Sequence, residues 1–363
     1  MPCRPVRLAA VVVLALALAP PGARAWDRGH LHTFAVLPDG ASGPEGLEVD
    51  PHGNVYVATF GFIASGSVSG LGKVYVFDDD GHLKRTISLT GSSPHLLGLR
   101  WRPGPSPAGT LLVADFGGAQ VLAVDLKTDT TTVFMTLPVA FRAGSSLNDI
   151  TFDARGNVFV SDSFQGTIWV TGPSGGEAHA WVTANVLKTT GVPPFGANGL
   201  RFDHAGTTLF VANTGDDTVV EVPVTGTEMG ANPGDPLLPI AGTPSVFVNS
   251  VNGADGLVLD AHGNLWLVAN QSDEIVVVDP SGKVIAKLGD FGGAIDDVGS
   301  PVGLLFPASL RFLEDDLLVT NLSLDLRLFG LPEAVDSQWC AQVSRYTVSR
   351  IPLRHEHEHE HER

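Results

Sequence analysis

The chain has 363 residues, 44% of them hydrophobic, with 42 Gly and 25 Pro but only 3 Met and 3 Tyr. That length suits one large core or two small ones, and the composition excludes a disordered or collagen-like chain. Acidic residues outnumber basic ones by 39 to 22, a net charge of -17, so the long-range field repels phosphate and argues against a nucleic-acid or anionic-membrane partner; a small molecule or a cation is expected instead.

In chain order, Arg4 and Arg7 precede an apolar stretch over residues 8–19, followed by Pro20-Pro21-Gly22 and Ala23-Arg24-Ala25. This pattern predicts a secretory signal over residues 1–25, cleaved after Ala25, and hence a secreted or periplasmic protein. The apolar stretch is well short of the ~20 residues that cross a bilayer, so no membrane insertion is expected. Processing removes Arg4, Arg7 and Arg24 and no acid, leaving 19 basic residues against 39 acidic ones. It also removes Cys3, so Cys340 stands alone and no intrachain disulfide can form.

A repeat then sets the architecture. Gly46-Leu47-Glu48-Val49-Asp50-Pro51-His52-Gly53-Asn54-Val55-Tyr56-Val57 returns as Asp149-Ile150-Thr151-Phe152-Asp153 through Val160 and as Gly256-Leu257-Val258-Leu259-Asp260 through Leu267. Further copies begin at Gly98, Gly199 and Ser309, so the six equivalent positions are 52, 51, 50, 57 and 53 residues apart. That is the length of a four-stranded blade with its turns. Within a copy, Asp caps the turn, Gly three residues on accepts the left-handed conformation, and β-branched or aromatic residues flank both sides. No stretch has a helical period. The expectation is an all-β, six-bladed β-propeller over residues 26–353. A strand at residues 31–37 would complete the last blade, whose third strand is placed near 342–348. Two departures from the period, residues 226–243 and 323–340, read as surface excursions, either able to lid a site. The tail, residues 354–363, alternates His and Glu and reads as a solvated or appended segment.

The first strand of each blade lines a propeller's channel, so the residue before each repeated Gly-Leu points toward the axis at one level. Those six are Glu45, Leu97, Asn148, Asn198, Asp255 and Ala308. Four are oxygen donors from four different blades. Two carboxylates and two amides make a hard oxygen cage for one divalent cation, Ca²⁺ first, with Mg²⁺ or Zn²⁺ as the other candidates. An open position at such an ion is what metal-assisted hydrolysis requires. The residues ending each second strand should wall the pocket, and three of the six contribute Phe60, Phe116 and Phe164. They form either an apolar wall suited to a hydrophobic acyl or aryl group or filling between blades. Asn270-Gln271-Ser272 and Asn321-Leu322-Ser323 match the glycosylation pattern.

Glu45-Gly46, Asn148-Asp149, Asn198-Gly199-Leu200 and Asp255-Gly256 resemble, in order, blade and residue type, the metal-binding positions of the regucalcin/gluconolactonase/luciferin-regenerating-enzyme family. The resemblance covers nearly all of residues 44–350. It implies a divalent cation on the channel axis, held by Glu45, Asn148, Asn198 and Asp255, and a lactone or related ester as substrate. Asp255 would then serve as base, and His95, two residues before Leu97, as a proton shuttle at the rim. Two features depart from the family pattern. Gly46 is followed by Leu47 where the family usually has Pro, and Ser145-Ser146-Leu147 stands where sugar-lactone members often place an Arg; the nearest, Arg142, is six positions back. The repeats also resemble the NHL type of propeller, which implies the competing reading, a non-enzymatic propeller that binds a ligand or protein partner on its top face. A propeller lyase is a third reading. Ser-His-Asp chemistry is excluded because Gly172-Pro173-Ser174-Gly175-Gly176 reads as a hairpin turn, not a strand-to-helix elbow.

Overall fold

The computed structural model describes residues 28–104, 106–230, 234–331 and 336–353; the predicted signal at 1–25 and the His/Glu tail at 354–363 lie outside the described residues. The chain forms six antiparallel sheets arranged as a six-bladed propeller. Each first strand lies innermost and is followed outward by its hairpin partners, as in blade 1, with Pro44–Val49, Val55–Thr59, Lys73–Phe77 and Leu83–Ser88. The last blade is closed by the N-terminal strand His32–Val36, which pairs with Thr347–Pro352. The expected third strand near 342–348 is therefore displaced, because residues 337–340 form a helical turn and pairing with Asp316–Asn321 begins only at Val348.

The turns fold as their composition dictates. Asp50 Oδ1 accepts from His52 N at 2.8 Å and Asn54 N at 2.9 Å, while Gly53 takes φ of +77°. Asp153 and Asp260 repeat the arrangement, with Gly156 at +83° and Gly263 at +80°. The hydrophobic core lies between neighbouring blades. Tyr56, Val74 and Ile87 of blade 1, for example, pack against Leu96, Leu99, Leu111 and Val113 of blade 2, all nearly or fully buried. Among the described residues no helix is long and apolar enough to cross a membrane.

The two insertions part company. Residues 226–243 extend blade 4 as a hairpin, Thr218–Glu228 with Leu238–Ala241, that packs on blade 3. Asn157 donates to the Leu237 carbonyl and Trp181 to the Pro239 carbonyl, and Asn157 sits at the hairpin turn remote from the first-strand starts. None of the segment's described residues lines the channel cavity. The segment after Ser323 does reach it, through Leu324 and Phe329.

Candidate functional site

Every first strand carries a β-bulge at the same place. Pairing shifts by one residue between Pro44 and Leu47, Leu96 and Leu99, Leu147 and Ile150, Ala197 and Leu200, Ala254 and Leu257, and Pro307 and Leu310. A bulge sets two residues against one and re-aims a side chain. The first residue inside each is one of the six axis positions: Glu45, Leu97, Asn148, Asn198, Asp255 and Ala308. The second is Gly in four blades, and it must be. A Cβ on Gly46 would lie 2.2 Å from the Leu97 carbonyl oxygen, and one on Gly256 would lie 2.6 Å from that of Ala308. The bulges thus hold neighbouring blades in close backbone contact around one small space.

That space is a cavity of about 20 Å³, room for an ion or a water, whose polar lining is Glu45, Asn148, Asn198, Asp255 and Asn270. Its apolar side comprises Phe60, Leu97, Phe306, Leu322 and Leu324, with Pro193 and Phe195 above. The five polar residues are all at most 5% exposed. Their amides are oriented from behind: Asn148 Nδ2 donates to Ser163 Oγ at 3.1 Å, Asn198 Nδ2 to Thr214 Oγ1 at 2.9 Å and Asn270 Nδ2 to Asp255 Oδ2 at 3.0 Å. Ser163, Thr214 and Asn270 occupy one equivalent position, the residue after each second strand's paired end.

Four oxygens are left without a partner: Glu45 Oε2, Asn148 Oδ1, Asp255 Oδ1 and Asn270 Oδ1. Every one belongs to the cavity lining, and every one is an acceptor. Leaving a buried acceptor unpaired costs on the order of 1–3 kcal/mol, so four converging on one space fit a cation. Hard oxygen donors without thiolate or imidazole suit Ca²⁺ or Mg²⁺ better than Zn²⁺. Among the described residues no three His, Cys, Asp or Glu side chains gather in a metal-binding group; the set here has two carboxyls and takes its remaining oxygens from amides. Burial, reinforced by Asp255 and Asp149, raises the Glu45 pKa well above the usual carboxylate range. Burial likewise pushes Asp255 up to about 8, against the hydrogen bond from Asn270.

Beneath this layer lies a belt of charge. Asp149, standing where four blades have Gly, accepts from Arg100 at 2.9 Å and Arg201 at 3.1 Å. Glu48 meets Arg100 and Arg311, each at 3.3 Å, and burial pushes its carboxyl up to about 7 despite Arg100. Glu48, Arg100, Arg201 and Arg311 each lie three residues beyond an axis position.

The structure therefore brings Glu45, Asn148, Asn198, Asp255 and Phe60 to one cavity. Phe116 and Phe164 stand just outside its lining, in ring contact with the residues that close it. His95 and Arg142 are not brought in. His95 Nδ1 is 2.6 Å from the Phe60 carbonyl oxygen, Nε2 is 3.1 Å from Ser67 Oγ, and the ring stacks on Phe62 at 4.8 Å. Arg142 ends a one-turn helix, Val139–Arg142, and spends its Nε on the Leu137 carbonyl. Both sit on connecting loops, whose direction register does not fix. Asn270 and Leu322 line the cavity at second-strand ends, where the wall was expected, whereas Pro193, Phe195, Phe306 and Leu324 line it unforeseen. Asn270 and Asn321 are 1% and 0% exposed, so neither accepts a glycan in the folded chain.

Residues 90–289 match the model of the SMP-30/gluconolactonase/LRE-like region. Among solved structures the chain is similar to a luciferin-regenerating enzyme, at 14% identity over 86% of this chain and 92% of that one, TM-score 0.59. It is similar to the calcium-binding protein regucalcin of Agrobacterium tumefaciens, at 18% identity over 88% and 96%, TM-score 0.57. A gluconolactonase of Xanthomonas campestris aligns at 14% identity over 91% of each chain, TM-score 0.58. At such identities the likeness is one of fold. A search of curated protein sequences gives no match.

Proposed function

The chain belongs to the SMP-30/gluconolactonase/LRE-like family, and from that premise we propose that it is an exported, divalent-cation-dependent hydrolase that opens a lactone or related ester at the mouth of the propeller channel. The observation that carries this reading is the convergence of four unpartnered buried oxygens, from Glu45, Asn148, Asp255 and Asn270, on one cavity. Asn198 adds a fifth side chain, its amide nitrogen held by Thr214. Ca²⁺ is the preferred ion; when bound it supplies charge that polarises an ester carbonyl and acidifies water.

The chain's own residues do the rest. Asn148 presents its carbonyl oxygen because Ser163 holds its NH₂ group, while the NH₂ of Asn198 is shared between Thr214 and Asp255. Asp255 has one oxygen fixed by Asn270 and the other facing the cavity. As the carboxylate, Asp255 would take a proton through its free Oδ1 from the attacking water and return it to the ring oxygen as the acyl C–O bond breaks, so that water is added across the ester and the carboxylate is regenerated. Leu97, Phe306 and Leu322 keep bulk water from the reacting carbonyl. His95, with both nitrogens engaged, supports Phe60 and Phe62 in this reading and moves no proton.

The test is hydrolysis of a lactone panel by the full chain and by Asp255→Ala, each with EDTA and with added Ca²⁺, beside calorimetric Ca²⁺ titration of both. The tail is common to both proteins, so any cation it takes cancels. Turnover lost to EDTA, restored by Ca²⁺ and absent in the variant is expected. Ca²⁺ binding without turnover of any lactone or ester would refute the hydrolase and leave a binding propeller; equal Ca²⁺ binding by both proteins would refute the site.

A further inference from the structure

The cavity is divided. At the six equivalent second-strand ends, blades 3, 4 and 5 place Ser163, Thr214 and Asn270, whereas blades 1, 2 and 6 place Phe60, Phe116 and Leu322. The polar three hold the axis residues by hydrogen bonds, and the apolar three cover the other side with carbon.

Above it the aromatic rings form a closed circuit. Phe62 meets Phe60 at 4.9 Å, Phe60 meets Phe116 at 5.3 Å, and Phe116 meets Phe164 at 5.8 Å. Phe164 stacks on Phe195 at 5.8 Å, Phe195 meets Phe329 at 6.1 Å, and Phe329 returns to Phe62 at 5.2 Å. Four of these side chains come from strand ends or their turns in blades 1, 2 and 3; Phe195 and Phe329 come from two separate connections. The circuit runs from the cavity, where Phe60 is 2% and Phe195 7% exposed, to the solvent, where Phe164 is 47% and Phe329 36% exposed.

The rim continues the same chemistry. Val139, Phe141, Val192 and Leu328 are all more than a third exposed. Gln165 ties the Phe141 carbonyl to the Phe164 turn, and Gln271 ties the Val192 carbonyl to blade 5. The unpartnered cavity atoms offer a polyol no donor, since all are acceptors, and His95 is held by Phe60 and Ser67.

Phe195 also meets Phe60 and Phe116 at 6.4 Å each, so the phenyl groups pack as one cluster with an exposed outer face. We infer that the substrate is a lactone or ester whose flanking group is apolar, alkyl or aryl, lying against the exposed face of this phenyl cluster at the mouth, and is not a polyhydroxylated sugar lactone. This rests on the reading of the cavity as the ester-opening site. The polar half would take the carbonyl end, the phenyl circuit the flank, and each methylene buried there would raise affinity about fourfold.

The experiment separates the two readings by using uncleavable guests. Calorimetry with the full chain and Ca²⁺ measures binding of γ-lactams bearing propyl, pentyl and heptyl chains, a phenyl-substituted γ-lactam and a polyhydroxylated lactam. The same series of lactones is assayed for turnover. Affinity is expected to rise by up to about 250-fold from propyl to heptyl, four methylenes at about fourfold each, with the polyhydroxylated lactam weakest. Phe164→Ser and Phe329→Ser, at exposed positions that the fold tolerates, should flatten the chain-length slope. A polyhydroxylated lactam that binds as tightly as the heptyl one, or a slope unchanged in both variants, overturns the inference whatever the turnover assay gives. Chain-length-dependent binding with no turnover of any lactone would sink the hydrolase reading and leave the apolar guest.

Discussion

Ser163→Ala is the sharpest probe of how the cation cage is built, because Ser163 never faces the cavity. Its hydroxyl accepts from Asn148 Nδ2 at 3.1 Å and donates to the Ala197 carbonyl at 2.7 Å, and Ser163 and Asn148 are 2% and 3% exposed. Removing it leaves the amide two responses. It can keep its orientation with an unpartnered buried NH₂, which costs about 1–3 kcal/mol of stability, or roughly 2–6 °C in Tm. It can instead turn the NH₂ toward the acceptors of Glu45 and Asp255, which spares stability but points a donor at the cation. In both cases the carbonyl is no longer held to the cavity, and loss of such a supporting hydrogen bond typically weakens metal binding about 10–100-fold. Calorimetric Ca²⁺ titration with melting in EDTA reads both quantities. Thr214→Ala should behave alike through Asn198, which is held at 2.9 Å. A lowered Tm with unchanged Ca²⁺ affinity in both variants would refute the assignment of the two amides as ligands.

Arg100→Met should destabilise the chain by about 3–5 kcal/mol in chemical denaturation, since it leaves Glu48 and Asp149 buried with one guanidinium each; a loss below 1 kcal/mol would show the belt to be dispensable. Gly46→Ala should cost more than about 2 kcal/mol because its Cβ meets the rigid Leu97 carbonyl, whereas Gly226→Ala, with only Ile240 at 3.5 Å, should be near neutral; equal effects would contradict the close blade contact at the bulges. Asp273 is pushed up to about 8 by burial, with Asp336 adding to the rise. The folded chain therefore keeps a proton that the unfolded chain releases above the ordinary carboxylate range. Stability should fall as pH rises toward 8 and level off above it, by at most about 1.4 kcal/mol per pH unit for that group. Asp273→Asn should remove this component, and wild-type and variant Tm curves that stay parallel from pH 5 to 8 would rule it out.

The architecture was legible because each blade repeats a local rule. Asp50, Asp153 and Asp260 close the same capped turn, and the spacing of the Gly-Leu pairs sets six blades before any contact is known. The axis residues were legible for the same reason: Glu45, Asn148, Asn198 and Asp255 share one register, and a shared register means a shared level in the channel. The bulges themselves were not legible, since a one-residue shift in pairing leaves no mark on period-two alternation. Asn270 was legible as a wall residue from its second-strand end, but not as the partner of Asp255, because that bond depends on how the two strands sit at the bulge. Phe195, Phe329 and Leu324 arrive on connections whose course is set by tertiary packing, and the same indeterminacy sends Arg142 and His95 elsewhere. The two insertions are equal in length, and nothing in the period told them apart, yet one packs on blade 3 through Asn157 and Trp181 while the other reaches the mouth.

The pairing of His32–Val36 with Thr347–Pro352 joins segments roughly 310 residues apart along the chain. Five blades are built from consecutive hairpins and can form as each is synthesised, but the sixth waits for the final strand. Until then Asp316–Asn321 presents an unpaired backbone edge, and His32–Val36 has nothing to zip onto. Folding of the ring is therefore an end-to-end event, slow for a chain of local hairpins and exposed to misassembly in the interval before the ends meet.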